Sequence, residues 1–193
     1  MSNYYKFVNV PDVFFDAVSL EVELAELVKV RNNTAGTQVC KWNEQESPFN
    51  KQAHDWINSL GLTLRRSLVF YTRPGNKLHW HDDGEHGDFV KFNFVWGSDN
   101  HVMQFGETVL DRSEYPLLKN SAGTYYTLYR DTDLKNVESV KIDKPVLFNG
   151  NTPHQVINYG ATPRWCLSMI LGKDNSRLTW SDALVVFNDF IVR

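Results

Sequence analysis

The chain has 193 residues, 42% of them apolar and 22% charged, which is enough to bury a sizeable core and ordinary for a globular protein. A formal net charge of −3 excludes a strongly basic nucleic-acid footprint across the whole chain, and no apolar run approaches the length of a membrane span. The start, MSNYYKFVNV, lacks a basic region followed by an apolar one, so a cytoplasmic protein with no membrane or nucleic-acid partner is expected.

Taken in chain order, Asn3–Val10 reads as a first strand ended by Pro11. Ser19 is a candidate cap for a helix over Leu20–Val30, where Leu20, Leu24 and Leu27 recur at helical spacing. A second helix is expected over Gln52–Leu60, with Ala53, Trp56 and Ile57 on one side and Gly61 ending it. From residue 62 the pattern becomes strands: Thr63–Thr72, Lys77–Asp82, Phe89–Trp96, Val102–Phe105, Gly123–Arg130, Ser139–Ile142, Pro145–Phe148, His154–Asn158 and Arg164–Leu171. Ser181–Phe190 resembles a C-terminal helix. Short strands separated by Gly, Pro, Asn and Asp turns, and 12 Phe, 8 Tyr and 6 Trp to fill a β core, point to a sandwich, barrel or jelly roll. One mainly β domain is expected over 1–193, with helices in 11–61, a β-core in 62–171 and a helix in 181–190.

Two cysteines, Cys40 and Cys166, are too few for a disulfide framework, and neither lies in a zinc-type cluster. Cys166, in an apolar run, reads as a small core residue. Three of the six histidines merit separate treatment, while His54, His86 and His101 are expected to meet solvent.

The chemistry concentrates in Leu78-His79-Trp80-His81-Asp82-Asp83-Gly84. Side chains alternate along a strand, so His79, His81 and Asp83 share one face and need partners or water there. Two histidines and one carboxylate, with coordination positions left open, suit a non-heme iron(II) site. His81 and Asp83 supply the close pair, and His154, which follows Asn149-Gly150-Asn151-Thr152-Pro153 and starts an apolar strand, is the best third ligand.

Arg164 adds a second requirement. Tyr159–Pro163 reads as the turn of an antiparallel hairpin that sets Leu167 or Ser168 across from His154. Arg164 would then lie about 7–10 Å from His154 at a rise of roughly 3.3 Å per residue. That span suits a small dicarboxylate with one end on the metal and the other on the planar guanidinium fork. Ser168 shares the parity of Arg164 and offers a hydroxyl. Asn93 and Lys91 share the parity of a site-facing strand, and the Tyr71 hydroxyl precedes the metal strand. Asn158 is placed to fix the turn. Trp80, Trp96 and Phe105 are candidates to shield the site from water.

The order H-x-D, a distant histidine, then arginine ten residues on resembles the iron(II)/2-oxoglutarate-dependent oxygenases, whose core is a double-stranded β-helix, or cupin-like jelly roll. PVLFNGNTPHQVINYGATPRWCLSMIL (145–171) is similar to their second-histidine segment, especially in aspartyl/asparaginyl β-hydroxylase-like members, and SLVFYTRPGNKLHWHDDG to their first metal-ligand strand. The likeness covers roughly residues 67–171. It implies Fe(II) on His81, Asp83 and His154, and 2-oxoglutarate with its distal carboxylate on Arg164. The implied reaction is oxidative decarboxylation of that cosubstrate by molecular oxygen, coupled to hydroxylation of a peptide side chain or small molecule. Those β-hydroxylases usually lack the metal carboxylate that Asp83 supplies here, so the superfamily chemistry carries over better than their substrate; Asp83 also fills the place a halide would need.

Two alternatives stay open on the residues alone. His79-x-His81 with Glu85 resembles the first cupin motif, although Phe92 stands where a glycine is expected, and would suit a metal enzyme without 2-oxoglutarate. His79 then replaces Asp83 as ligand; otherwise it contacts substrate or supports a ligand. The other is a jelly-roll binding module without redox chemistry. Gly97–Gly123, rich in turn formers, is a candidate lid.

Overall fold

The computed structural model describes residues 2–11, 14–30, 36–43, 46–84, 88–119 and 125–192. Glu85, His86 and the side chains of Leu27 and Cys40 lie outside the described residues. Among the described residues thirteen strands are formed: β1 (Tyr5–Phe7), β2 (Gly36–Asn43), β3 (Thr63–Thr72), β4 (Trp80–Asp82), β5 (Val90–Trp96), β6 (His101–Thr108), β7 (Leu117–Lys119), β8 (Tyr125–Tyr129), β9 (Leu134–Val140), β10 (Val146–Asn149), β11 (His154–Asn158), β12 (Arg164–Lys173) and β13 (Ser176–Arg177). Among the same residues three α-helices accompany them: α1 (Ala17–Val30), α2 (Lys51–Ser59) and α3 (Trp180–Val186), the last followed by a 3-10 turn over Asn188–Phe190. No helix among the described residues is long and apolar enough to cross a membrane.

The strands form two antiparallel sheets, ordered β1-β10-β5-β12-β3-β2 (with β13 on β12) and β7-β8-β4-β11-β6-β9. Successive strands β3, β4, β5 and β6, and again β9, β10, β11 and β12, alternate between the sheets, which is the winding of a double-stranded β-helix. The expected fold class holds. The strand expected over Asn3–Val10 forms as β1, at the edge of the larger sheet, whereas β2, at the other edge, runs through a stretch whose weak alternation gave no strand signal.

Alternation along β12 decides what faces where. Trp165, Leu167, Met169 and Leu171 join Leu20 and Leu24 of α1, Ala53 and Ile57 of α2, and Ala183 of α3 in a core between the larger sheet and the helices. Each fully buried Leu or Phe in it contributes about 1.5–3 kcal/mol through the water it sheds. Arg164, Cys166, Ser168 and Ile170 therefore face the space between the sheets, although all four are buried. That space also holds a smaller apolar cluster of Met103, Phe105, Ile142, Val146, Phe148 and Val156.

Local signals explain the helix ends. The Asn50 side chain accepts from Ala53 N at 2.9 Å and caps α2, and Gly61 follows it at φ 71, a conformation glycine adopts without strain. Helix α1 starts earlier than expected because Asp16, not Ser19, is its cap: the Asp16 carboxylate accepts from Val18 N and Ser19 N at 3.0 and 3.1 Å.

The segment expected to be a hairpin is an arch. Strand β11 pairs with β4 and β6 in one sheet, and β12 with β3 and β5 in the other, so Tyr159–Pro163 carries the chain across the sandwich. Neither Leu167 nor Ser168 pairs with His154. Asn158, fully buried, holds this arch: its Nδ2 donates to the carbonyls of Thr72, Arg73 and Thr162, and its Oδ1 accepts from Ser98 Oγ and Gly160 N. Asn158→Ala leaves several buried backbone and hydroxyl groups without partners and is expected to cost about 3 kcal/mol in urea unfolding. A loss below about 1 kcal/mol would show that water replaces the side chain there.

Candidate metal centre

Strands β4 and β11 lie side by side with His81 opposite His154, and their rings face each other at 4.4 Å between centroids. The Nδ1 atoms are already occupied: His81 Nδ1 lies 2.8 Å from the His79 carbonyl, and His154 Nδ1 lies 2.8 Å from the Thr152 carbonyl. A neutral ring that donates from Nδ1 keeps the Nε2 lone pair free, so both rings present the ligating atom inward. Asp83 completes the set. Its Oδ1 is gripped by Lys91 Nζ at 2.6 Å, while its Oδ2, 3.8 Å from His154 Nε2, is buried without a hydrogen-bond partner. One donor atom from each of His81, Asp83 and His154 lies within 4.8 Å of the others, close enough to hold one metal ion.

The electrostatics favour a cation there. Burial pushes the Asp83 carboxyl up, but Lys91 and then the two imidazoles more than offset this and hold it below the usual carboxylate range. Burial, then the neighbouring His81, pushes His154 down to about 3, so the ring is neutral and ready to ligate. The same shift has a stability consequence. The unfolded histidine titrates near 6.5, so on acidification the unfolded chain takes the proton first. The stability that this neutral ring contributes to the metal-free protein is therefore fully present above about pH 6.5 and is lost as pH falls toward about 3. Urea midpoints should drop across that window, and His154→Gln should flatten the drop; identical slopes would contradict the assignment.

What holds β4 in place was not visible in the sequence. Asp82, between the two ligands but on the opposite face, is fully buried and accepts from Arg112 Nε at 2.8 Å, the Tyr129 hydroxyl and Gly84 N. The signal was only its parity, because Arg112 and Tyr129 are remote in sequence. Gly84 lets the Tyr125–Tyr126 backbone pass directly over the loop; a Cβ there would stand 2.3 Å from Tyr126 Cα.

Across the interior from the triad is a cavity of about 210 Å³ bounded by His81, Asp83 and His154 on one side and by Lys91, Asn93, Arg164 and Cys166 on the other. Arg164 is 2% exposed, and among the described residues no carboxylate pairs with it. Burial pulls its guanidinium pKa down. Arg164 Nε, Asn93 Oδ1 and Ser168 Oγ are all buried without hydrogen-bond partners. Ser168 lies opposite Asn93 on the neighbouring strand. Four orphaned polar atoms, counting Asp83 Oδ2, gathered on this interior face are what a bound polar ligand would satisfy.

Other candidates take different places. The Tyr71 ring packs edge-on against Trp165 at 4.9 Å, and Tyr71 also borders the cavity that holds Arg164, between the interior residues Phe70 and Thr72 of β3. Trp80 also faces away, on the side of Asp82; with the Gln155 amide turned so that its oxygen faces the indole, Trp80 Nε1 donates to it over 2.7 Å. Trp96 donates to Glu21 on the helix side, whereas Phe105 lies inside, 6.3 Å from His154. His79 is exposed at the rim and supports His81 through its main chain, outside the donor set. His101 is buried rather than exposed, its ring nitrogens facing the carbonyls of Ser98 and Ile142. Cys166 lines the cavity beside Arg164, a placement its parity with Arg164 implied.

No protein-family model and no curated protein matches this chain. Among solved structures it is similar to AviO1 from Streptomyces viridochromogenes Tue57, with 9% identity and a TM-score of 0.47 over 91% of this chain and 92% of that one. An oxidoreductase of the 2OG-Fe(II) oxygenase family from Burkholderia pseudomallei matches at 11% identity and TM-score 0.38, covering 68% of this chain and 56% of that one. An oxalate oxidase matches at 12% identity and TM-score 0.34, covering 78% of this chain, which spans 57% of that protein's length. All three are distant in sequence and superposition, so the cupin-like jelly roll with a His/Asp/His group rests on the strand pairings and donor atoms of this chain itself.

Proposed function

We propose that the chain is an iron(II)- and 2-oxoglutarate-dependent oxygenase that hydroxylates a small molecule or peptide side chain. The observation that carries this reading is Arg164: a buried guanidinium without a counter-charge, on the same cavity as a ready-made two-histidine, one-carboxylate donor set. A cupin-type metal enzyme without 2-oxoglutarate shares the triad but leaves that cation unexplained.

Iron(II) and 2-oxoglutarate, when bound, supply the oxidising power by coupling loss of carbon dioxide from the cosubstrate to reduction of molecular oxygen and oxygen insertion into a C–H bond. The chain's residues supply position and dryness. His81 Nε2, His154 Nε2 and Asp83 Oδ2 hold the metal, and Lys91 keeps the second Asp83 oxygen engaged, which favours ligation through one oxygen. Arg164 receives the distal carboxylate through its planar fork, and Ser168 and Asn93, paired across β12 and β5, leave further unpartnered polar atoms on the same face. Phe70, Met103, Phe148 and Val156 line the cavity and exclude water from it. The test is turnover without substrate: with iron(II), ascorbate and oxygen, the protein should convert 2-oxoglutarate slowly to succinate. No succinate above that of the His81→Ala/His154→Ala double variant would count against the proposal.

A further inference from the structure

A second cavity, of about 240 Å³, opens beside His81 and Asp83 and is bounded by Arg66, Phe70, Phe89, Tyr126, Lys91 and Asp83. It shares Phe70, Leu78, His81, Asp83 and Lys91 with the cavity that holds Arg164, so the two adjoin at the donor set. Arg66 is its conspicuous residue. It is half-buried on the interior face of β3, and among the described residues its guanidinium has no hydrogen-bond or ion-pair partner.

Strand register measures its position. Arg66 pairs with Ile170, and Ile170 pairs on its other side with Lys91, so the three form a row across three strands. Two strand spacings separate Arg66 from Lys91, about 10 Å between Cα atoms. Lys91 in turn touches Asp83 at 2.6 Å. Arg66 is thus one short molecule away from the metal-binding carboxylate. Arg164, by contrast, pairs with Thr72 at the far end of the same face, six positions along β12 from Ile170, or roughly 20 Å. Arg66 and Arg164 thus stand toward opposite ends of this face, and each lines a different cavity.

The charges on the cavity agree. Among its described lining residues the one carboxylate is Asp83, and Lys91 already engages it, which leaves Arg66 in excess. The walls between Arg66 and the metal, by contrast, are Leu68, Phe70, Phe89 and Ile170, which reward apolar surface.

We infer that this cavity takes the substrate, and that the substrate is a small organic acid with an apolar body, its carboxylate on Arg66 and its far carbon beside the metal ligands. The inference rests on the oxygenase reading for the role of the site, but not for binding itself. A single guanidinium fork with no second free cation inside matches a carboxylate better than a phosphate dianion.

The test is calorimetric titration of the full chain with straight-chain and ω-phenyl alkanoates of butyrate to octanoate length, each paired with its primary amide. At least one acid should bind, its amide at least about tenfold more weakly, because a charge-assisted pair is lost. Arg66→Ala should weaken the acid by a similar factor, Arg66→Lys by less, and excess 2-oxoglutarate should not displace it. No binding by any acid, equal binding of acid and amide, no effect of Arg66→Ala, or displacement by 2-oxoglutarate would each overturn the inference. Failure of the oxygenase reading looks different: 2-oxoglutarate fails to bind the wild-type chain while the acid still discriminates through Arg66.

Discussion

Arg164→Met is expected to raise the stability of the ligand-free protein while abolishing binding of 2-oxoglutarate. Arg164 is 2% exposed, its Nε lacks a partner, and burial opposes its charge. A buried charge without a counter-ion is a cost that folding must offset elsewhere. Methionine keeps the length and flexibility of the side chain and removes the charge, so a gain of about 1–4 kcal/mol is expected. For a chain of this size that is a rise in melting temperature of about 2–4 °C per kcal/mol. Added 2-oxoglutarate should stabilise the wild-type protein and leave the variant unmoved. Thermal melts with and without the diacid check both halves. A variant that melts lower, yet still responds to 2-oxoglutarate, would mean that Arg164 is structural.

His154→Ala should eliminate specific binding of a divalent metal, with a loss of affinity greater than about 100-fold, because it removes one of three donors. Lys91→Met should have a smaller effect, about 10–100-fold, since it removes the partner that orients Asp83 rather than a donor. Competition against a chromophoric chelator would measure both. The order of the two effects is the informative part: it separates a ligand from the residue that aims one. Equal losses would place Lys91 or its whole strand, not His154, at the root of metal affinity.

Much of the site was legible because strand parity is local. His81 and Asp83 are two apart, His154 starts an apolar run, and Arg164 and Ser168 share a face, and each of these relations survives folding unchanged. The path between His154 and Arg164 was not legible. A five-residue Gly/Pro turn between two apolar runs reads the same whether it closes a hairpin or arches to the opposite sheet; the pairing of β11 with β4 and of β12 with β3 decides it. Which residues of β3 face inward was out of reach for a related reason, since register opposite β12 fixes it. Asp82 and its partners Arg112 and Tyr129 depend on contacts across 30 and 47 positions, and no local pattern announces such a cluster. His101 looked like a loop residue beside Asp99 and Asn100 until strand β6 and the Ile142 carbonyl buried it.

The most direct test of the account is anaerobic addition of iron(II) and 2-oxoglutarate to the wild-type protein, followed by visible absorption spectroscopy. A metal-to-keto-acid charge-transfer band should appear, be absent from His81→Ala and Asp83→Ala, and require far more 2-oxoglutarate in Arg164→Ala. Iron binding with no such band at saturating 2-oxoglutarate would contradict the oxygenase assignment and leave a cupin-type metal protein in its place.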